Sequence, residues 1–132
     1  MRTISRSPIS AEAPRRTHSL AAAFAYAFDG LRAAWRTQRN VRVHAVLAVL
    51  ALAAAAMFRV PPWAWAVVVL SIALVIAVEL ANTAIEALVD LVSPGDHPLA
   101  KRAKDVAAAA VLVASVGAAG AGACVVAALL RR

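Results

Sequence analysis

The chain has 132 residues, of which 63% are hydrophobic, and a formal net charge of +7. Soluble domains have about 45 to 50% apolar residues, so the composition excludes an ordinary soluble domain and indicates one domain in a bilayer. The single cysteine, Cys124, excludes an intramolecular disulfide. The basic residues flank apolar segments, which is typical of contact with anionic lipid headgroups, and we expect no binding to nucleic acid.

The N-terminal part of the chain divides into two segments. Residues 1–18 are polar and contain two prolines, so we expect a disordered cytoplasmic tail ahead of a membrane domain at 19–132. From about residue 19 to 38, large apolar residues recur every three or four positions and arginines lie on the opposite side, which predicts an amphipathic helix in the membrane interface. An amphipathic helix packed on protein is the alternative. The apolar residues are Leu20, Phe24, Phe28, Leu31 and Trp35.

Three apolar segments follow, each long enough to span a bilayer. They run over about residues 41–58, 63–92 and 103–130. Pro61 and Pro62 predict a short turn between the first two segments, and Pro94 and Pro98 predict a loop that ends the second. The third segment is rich in small residues, which predicts close helix packing within a bundle. Its glycines are Gly117, Gly120 and Gly122.

The distribution of basic residues predicts the orientation. Eight of the fourteen lysines and arginines lie in residues 1–42, three lie in the second loop, and Arg59 alone lies in the first turn. The positive-inside rule therefore places the N-terminus and the second loop in the cytoplasm. Arg131 and Arg132 oppose this assignment, but the larger asymmetry favours it.

Five polar residues share one face of the second segment, within about 100° of helix surface. We call them the polar stripe: Glu79, Asn82, Thr83, Glu86 and Asp90. Charged groups in a membrane helix indicate a pathway, a metal or a catalytic centre. Helix packing explains the amide and the hydroxyl as well as function does. It explains Glu79 and Glu86 poorly, because two carboxylates on one face repel unless a cation or a proton lies between them.

The stripe and the loop after it together suit phosphoryl transfer. Glu79 and Glu86 lie about 10 Å apart along a helix, so one can bind Mg²⁺ while the other takes a proton from a hydroxyl. The loop region adds cations beside further acids, where a polyphosphate could be held, although a solvated basic loop fits the composition equally well. Its charged residues are Asp96, His97, Lys101, Arg102, Lys104 and Asp105.

Other site types are excluded or weak. The chain has no P-loop and no protein-kinase motif, so a nucleotide site must form between helices. His18, His44 and His97 are too scattered to form a zinc site. We interpret His44, near the cytoplasmic end of the first span, as a structural residue.

The run from Glu79 to Leu112, ELANTAIEALVDLVSPGDHPLAKRAKDVAAAAVL, resembles the signature of the small bacterial integral-membrane diacylglycerol kinase and undecaprenol kinase family. The resemblance extends upstream through RNVRVH to Tyr26. It implies an all-α integral membrane fold with three transmembrane helices after an interfacial helix, assembled as a homotrimer in the bacterial inner membrane. It also implies phosphorylation of a lipid alcohol at the cytoplasmic face, with ATP as donor and Mg²⁺ as cofactor.

The resemblance further implies roles for single residues. Glu79 resembles the family's general base, Glu86 its Mg²⁺ ligand and Asn82 a supporting residue of the active site. Gln38 stands where the family commonly has a second metal-binding glutamate; an amide keeps an oxygen ligand but loses its charge, which predicts weaker Mg²⁺ binding. The implied nucleotide contacts are Tyr26, Gly95, Asp96, His97, Lys104 and Asp105.

Several functional hypotheses stay open at this point. RNVRVH and SPGDHPLAK resemble the undecaprenol kinase branch, which favours undecaprenol as the acceptor, with diacylglycerol as the alternative. A proton or cation carrier that relays ions through Glu79 and Glu86 is a hypothesis from another class. A structural membrane subunit that uses the polar stripe for oligomer packing is a third.

Overall fold

The computed structural model describes residues 19–131, which form four helices and no strand. The helices are α1 (Leu20–Thr37), α2 (Arg39–Met57), α3 (Pro62–Val92) and α4 (Pro98–Leu130). The last three are long and apolar enough to cross a membrane. The predicted all-α membrane fold is confirmed, and the tail predicted over residues 1–18 lies outside the described residues.

Helix α1 touches the bundle mainly through its C-terminal end. Ser19 caps its start, because the Ser19 Oγ accepts a hydrogen bond from the backbone N–H of Ala22 at 3.2 Å. Ala34 is buried, whereas Phe24 and Phe28 are exposed. The exposed apolar side chains leave one face of α1 available to the bilayer interface, as expected for an interfacial helix. Gln38 then has extended backbone and joins α1 to α2.

The turn between α2 and α3 is short and well defined. Arg59 has a φ of 49°, in the left-handed region, and the N–H of Val60 donates to the carbonyl of Ala55 at 3.1 Å. These features form a Schellman cap at the end of α2. Pro62 begins α3, where its missing N–H is not needed and its fixed φ suits the first helical position. The two spans are therefore an antiparallel hairpin, as the prolines predicted.

Helix α4 begins at Pro98, five residues before the start predicted near residue 103. The prediction was wrong because Pro98 was interpreted as a helix breaker, whereas a proline is well accommodated in the first turn of a helix. The His97 side chain caps this turn, with Nδ1 accepting the N–H of Leu99 at 3.2 Å. Consequently Lys101 and Lys104 lie on the first turns of a helix and not in a loop.

Helix α3 is the centre of the molecule and packs against both α4 and α2. The buried core is small and consists mostly of alanine and valine, including Ala64, Val75 and Ala114. An added Cβ at Gly117, Gly120 or Gly122 would meet no atom within 4 Å. Within this chain, the glycines of α4 therefore do not create the close helix approach that was predicted from them.

Candidate active site

Two members of the polar stripe are buried in the C-terminal half of α3. Glu79 is 2% exposed and Asn82 is 5% exposed, and among residues 19–131 they are the only polar or charged residues classed as buried. Glu79 Oε2 and Asn82 Oδ1 have no hydrogen-bond partner. An unpaired buried polar atom costs about 1 to 3 kcal/mol. This cost argues that the two oxygens serve a ligand and not the packing of the bundle.

Hydrogen bonds along α3 fix the orientation of the stripe. The Asn82 amide donates from Nδ2 to Glu86 Oε1 at 3.1 Å, which turns Oδ1 away from Glu86. Thr83 Oγ1 donates to the carbonyl of Glu79 at 3.0 Å, so the hydroxyl is satisfied by its own helix and its role is structural. Asp90 is exposed and forms an ion pair with Lys104 of α4. The stripe therefore has a buried end at Glu79 and Asn82, a half-buried Glu86 and an exposed end at Asp90.

Two ionisable side chains act electrostatically on Glu79. Glu79 is affected first by its burial, and both His44 of α2 and Glu86 of the same helix lie within electrostatic range of its carboxylate. The repulsion between two acids on one helix face was expected from the spacing. The contribution of His44 was not expected, because nothing in the local pattern of α2 relates that residue to α3.

A cavity of about 690 Å³ lies at the junction of α3 and α4. It is lined by acidic, basic and backbone groups from the end of α3, the loop and the start of α4. The lining includes Asp90, Ser93, Gly95, Asp96, His97, Lys101 and Lys104. Four of the six predicted nucleotide contacts are thus brought together. Asp105 forms an ion pair with Lys101 at 2.6 Å beside this cavity, and Tyr26 of α1 is not part of its lining.

The residues of the stripe suit Mg²⁺, but one chain does not form a complete metal cage. Within residues 19–131 no group of three His, Cys, Asp or Glu side chains could hold a metal ion. Gln38 is half-buried at the junction of α1 and α2, and its side chain makes no hydrogen bond in the described part of the chain. Mg²⁺ prefers oxygen ligands, keeps several waters and is commonly bound by one or two carboxylates plus substrate phosphates. The oxygens of Glu79, Asn82 and Glu86 fit that donor set.

An apolar groove of about 300 Å³ lies between α2, α3 and α4 at membrane depth. On α3 it extends from Val67 to Ile76, and Ile76 is three residues, or about one helical turn, before Glu79. His44, Ser71 and Ser115 are the polar residues in an otherwise apolar lining. Sequence reasoning missed the place of His44 beside Glu79. The short hairpin was a usable signal, because it sets residue 44 opposite residue 76 in the antiparallel pair.

The fold and the site define a class: a small all-α membrane protein with a buried carboxylate between a charged cavity and an apolar groove. The family model described as prokaryotic diacylglycerol kinase matches residues 25–126. The chain belongs to this family and is a lipid kinase, as the resemblance predicted. The family implies a nucleotide as phosphoryl donor. Membership favours the kinase hypothesis over a carrier or a structural subunit.

Curated relatives of the chain bear two different names. A diacylglycerol kinase of Synechocystis sp. is 41% identical over 90% of this chain and 69% of its own length. An undecaprenol kinase of Bacillus subtilis is 41% identical over 70% of this chain and 76% of its own. A diacylglycerol kinase of Escherichia coli is 40% identical over 69% of this chain and 75% of its own. These identities are too similar to separate the two acceptors.

Proposed function

We propose that this lipid kinase transfers the γ-phosphoryl group of ATP, in the presence of Mg²⁺, to the hydroxyl of undecaprenol and so forms undecaprenyl phosphate. Diacylglycerol is the alternative acceptor. The observation that carries the proposal is the buried Glu79, whose Oε2 has no partner and which lies about one turn from the end of an apolar groove. A carboxylate oxygen in that position is available to accept the proton of a lipid hydroxyl.

Glu79 acts as the general base in this mechanism. Its Oε2 accepts the proton of the acceptor hydroxyl while that oxygen attacks the γ-phosphorus. The bond between the γ-phosphorus and the bridging oxygen of the β-phosphate breaks, and ADP leaves with the electron pair. The protonated Glu79 must then return its proton to water before the next turnover.

Glu86 and Asn82 hold the phosphate side of the site. The free Oε2 of Glu86 and the unpaired Oδ1 of Asn82 are the oxygens that would bind Mg²⁺, whose bound form neutralises charge on the β- and γ-phosphates. The hydrogen bond from Asn82 to Glu86 keeps the two ligands in one orientation. Gln38 would supply a neutral oxygen at most, so we propose a single firmly held metal.

Lys104 and the loop residues bind the nucleotide. In the structure Lys104 is paired with Asp90, and both side chains are partly exposed. Such a pair is worth at most about 1 kcal/mol, so a triphosphate can replace Asp90 as the partner of Lys104 at little cost. We propose that Gly95, Asp96 and His97 line the same nucleotide site, with Asp105 beside them and Tyr26 reaching it from α1.

The groove and the sequence support a polyprenol more than a diacylglycerol. RNVRVH and SPGDHPLAK resemble the undecaprenol kinase branch, and the groove has one continuous apolar lining with many small residues, which suits a single chain. Diacylglycerol has two chains and presents its hydroxyl at the same depth. The choice between these acceptors is therefore the first thing to measure.

We further propose that the site lies at the cytoplasmic face and that the protein is a homotrimer in the bacterial inner membrane. The excess of basic residues before α2 and around the start of α4 supports the orientation. The open space around Gly117 and Gly120 of α4 leaves that face available for a second copy. The membrane domain would comprise residues 19–132, after the N-terminal tail.

The test is an assay of labelled phosphate transfer from Mg-ATP by the purified protein, with undecaprenol and diacylglycerol side by side. We expect transfer to both, with the higher kcat/KM for undecaprenol. Glu79→Gln should reduce kcat by about 10³-fold, because a general base contributes about 10²- to 10⁴-fold. Asp29→Asn makes the same acid-to-amide change at an exposed position of α1 and should retain full activity.

Two results would contradict the proposal. If Glu79→Gln keeps more than a tenth of the activity while its oligomer elutes as wild type does, Glu79 is not the base. If diacylglycerol is the better acceptor, the chain phosphorylates diacylglycerol and the assignment to undecaprenol is wrong.

A further inference from the structure

The apolar groove has a polar end, and three helices contribute to it. Ser115 lies eleven residues beyond Lys104 in α4, and Glu79 lies eleven residues before Asp90 in α3. Because Lys104 and Asp90 form an ion pair and the helices are antiparallel, Ser115 and Glu79 fall at about the same depth. His44 of α2 lines the groove close to this level, opposite Ile76. The groove therefore has two polar side chains, those of His44 and Ser115, at about the level of Glu79.

His44 is the one of these two side chains that relates the groove to Glu79. It is half-buried, it lines the groove, and it lies within electrostatic range of Glu79. Within residues 19–131 the imidazole makes no hydrogen bond, so both ring nitrogens are available to a ligand. Neither the proton transfer to Glu79 nor the proposed Mg²⁺ binding uses His44.

The chemistry of the acceptor requires a second contact besides Glu79. A hydroxyl has one proton to donate and two lone pairs that accept. When its proton is directed at the carboxylate, the hydroxyl can still rotate about that hydrogen bond, and only some orientations aim a lone pair at the γ-phosphorus. A donor that binds one lone pair fixes the rotation and leaves the other lone pair free to attack. Orientation of this kind contributes strongly to rate.

We propose that His44 is this donor: its ring N–H binds the hydroxyl of the lipid acceptor at the end of the groove and orients it between Glu79 and the γ-phosphate. The inference rests on the proposed function, because it needs a lipid alcohol in the groove and Glu79 as base. It adds a substrate contact on α2, outside the polar stripe and outside the nucleotide cavity.

The test compares His44→Leu, His44→Gln and Asn40→Leu in the same transfer assay. His44→Leu removes the N–H and should lower kcat/KM for the lipid by about 10²-fold, while KM for Mg-ATP stays the same. His44→Gln keeps an N–H donor on a side chain of similar reach and should stay within about tenfold of wild type. Asn40→Leu is the matched control: it makes a polar-to-leucine change one turn earlier on α2, at an exposed position, and should leave both constants unchanged.

The outcomes separate this inference from the proposed function. If the wild type phosphorylates a lipid and His44→Leu does too, with unchanged constants, His44 does not orient the acceptor and the kinase proposal stands. An equal loss toward lipid and Mg-ATP, or an equal loss in Asn40→Leu, shows a structural effect and also overturns the inference. If wild-type protein with intact helicity transfers phosphate to no lipid alcohol, both proposals fail together.

Discussion

The buried end of the polar stripe and the cavity between α3 and α4 differ in burial and in whether their polar groups have partners. Glu79 and Asn82 are almost completely buried and each keeps an oxygen without a partner. Four of the charges around the cavity are exposed and paired: the side chains of Lys104 and Asp90 are 38% and 63% exposed, and those of Lys101 and Asp105 are 78% and 61% exposed. One region is buried and has unpaired oxygens, whereas the other is exposed and has paired charges.

The difference shows how the chemical step and nucleotide binding can occupy separate regions of a small protein. Exposed ion pairs contribute about 0 to 1 kcal/mol, so their members can change partners when a polyphosphate arrives. Buried oxygens cannot be reoriented cheaply, and their geometry is already set before the substrates bind. We therefore assign the chemical step to the buried end of the stripe and nucleotide binding to the cavity.

Replacement of Asn82 by leucine tests whether the buried end serves catalysis or packing. The change removes an unpaired buried oxygen, so the apparent Tm should not fall, although Glu86 loses its hydrogen-bond donor. Transfer should fall by about 10²-fold, as when one preorganised polar group is removed from an active site. Thermal unfolding in detergent and the transfer assay measure the two effects. A lower Tm with retained transfer would show that Asn82 is a packing residue.

Replacement of Lys104 by methionine tests the assignment of the cavity to the nucleotide. We expect KM for Mg-ATP to rise by about tenfold or more, because a hydrogen bond to a charged group contributes about 1.5 to 3 kcal/mol. KM for the lipid should not change. Arg102→Met removes a neighbouring exposed cation that does not line the cavity, and it serves as the control. Equal effects of the two substitutions would indicate a diffuse basic surface instead of a site.

Replacement of Gln38 by glutamate tests whether residue 38 is a metal ligand. We expect it to have the smallest effect of these substitutions. The added carboxylate would restore a charged oxygen ligand, so the Mg²⁺ concentration for half-maximal activity should fall several-fold. A titration of transfer rate against Mg²⁺ at saturating nucleotide measures it, with Gln38→Ala as the uncharged comparison. An unchanged midpoint would place Gln38 outside the metal site.

The sequence by itself determined the helices and the composition of the stripe. Hydrophobic periodicity and the pairs of prolines are local signals, and they located α1, the hairpin and α3 to within one or two residues. The same 3.6-residue period placed Glu79, Asn82 and Glu86 on one face. The start of α4 was missed because a proline can either end a helix or occupy its first turn. In the structure Pro98 begins α4, and the His97 side chain caps that turn.

Only the tertiary structure decided which of these groups are buried and which helices complete the site. The ion pair between Asp90 and Lys104 and the approach of His44 to Glu79 depend on the register and rotation of separate helices. The short hairpin gives the level of His44 along α3, but the rotation of each helix about its axis is set by packing between helices, and no local pattern records it. Burial then gave Glu79 and Asn82 unpaired oxygens, because closing the bundle removed water from one end of the stripe and not from the other.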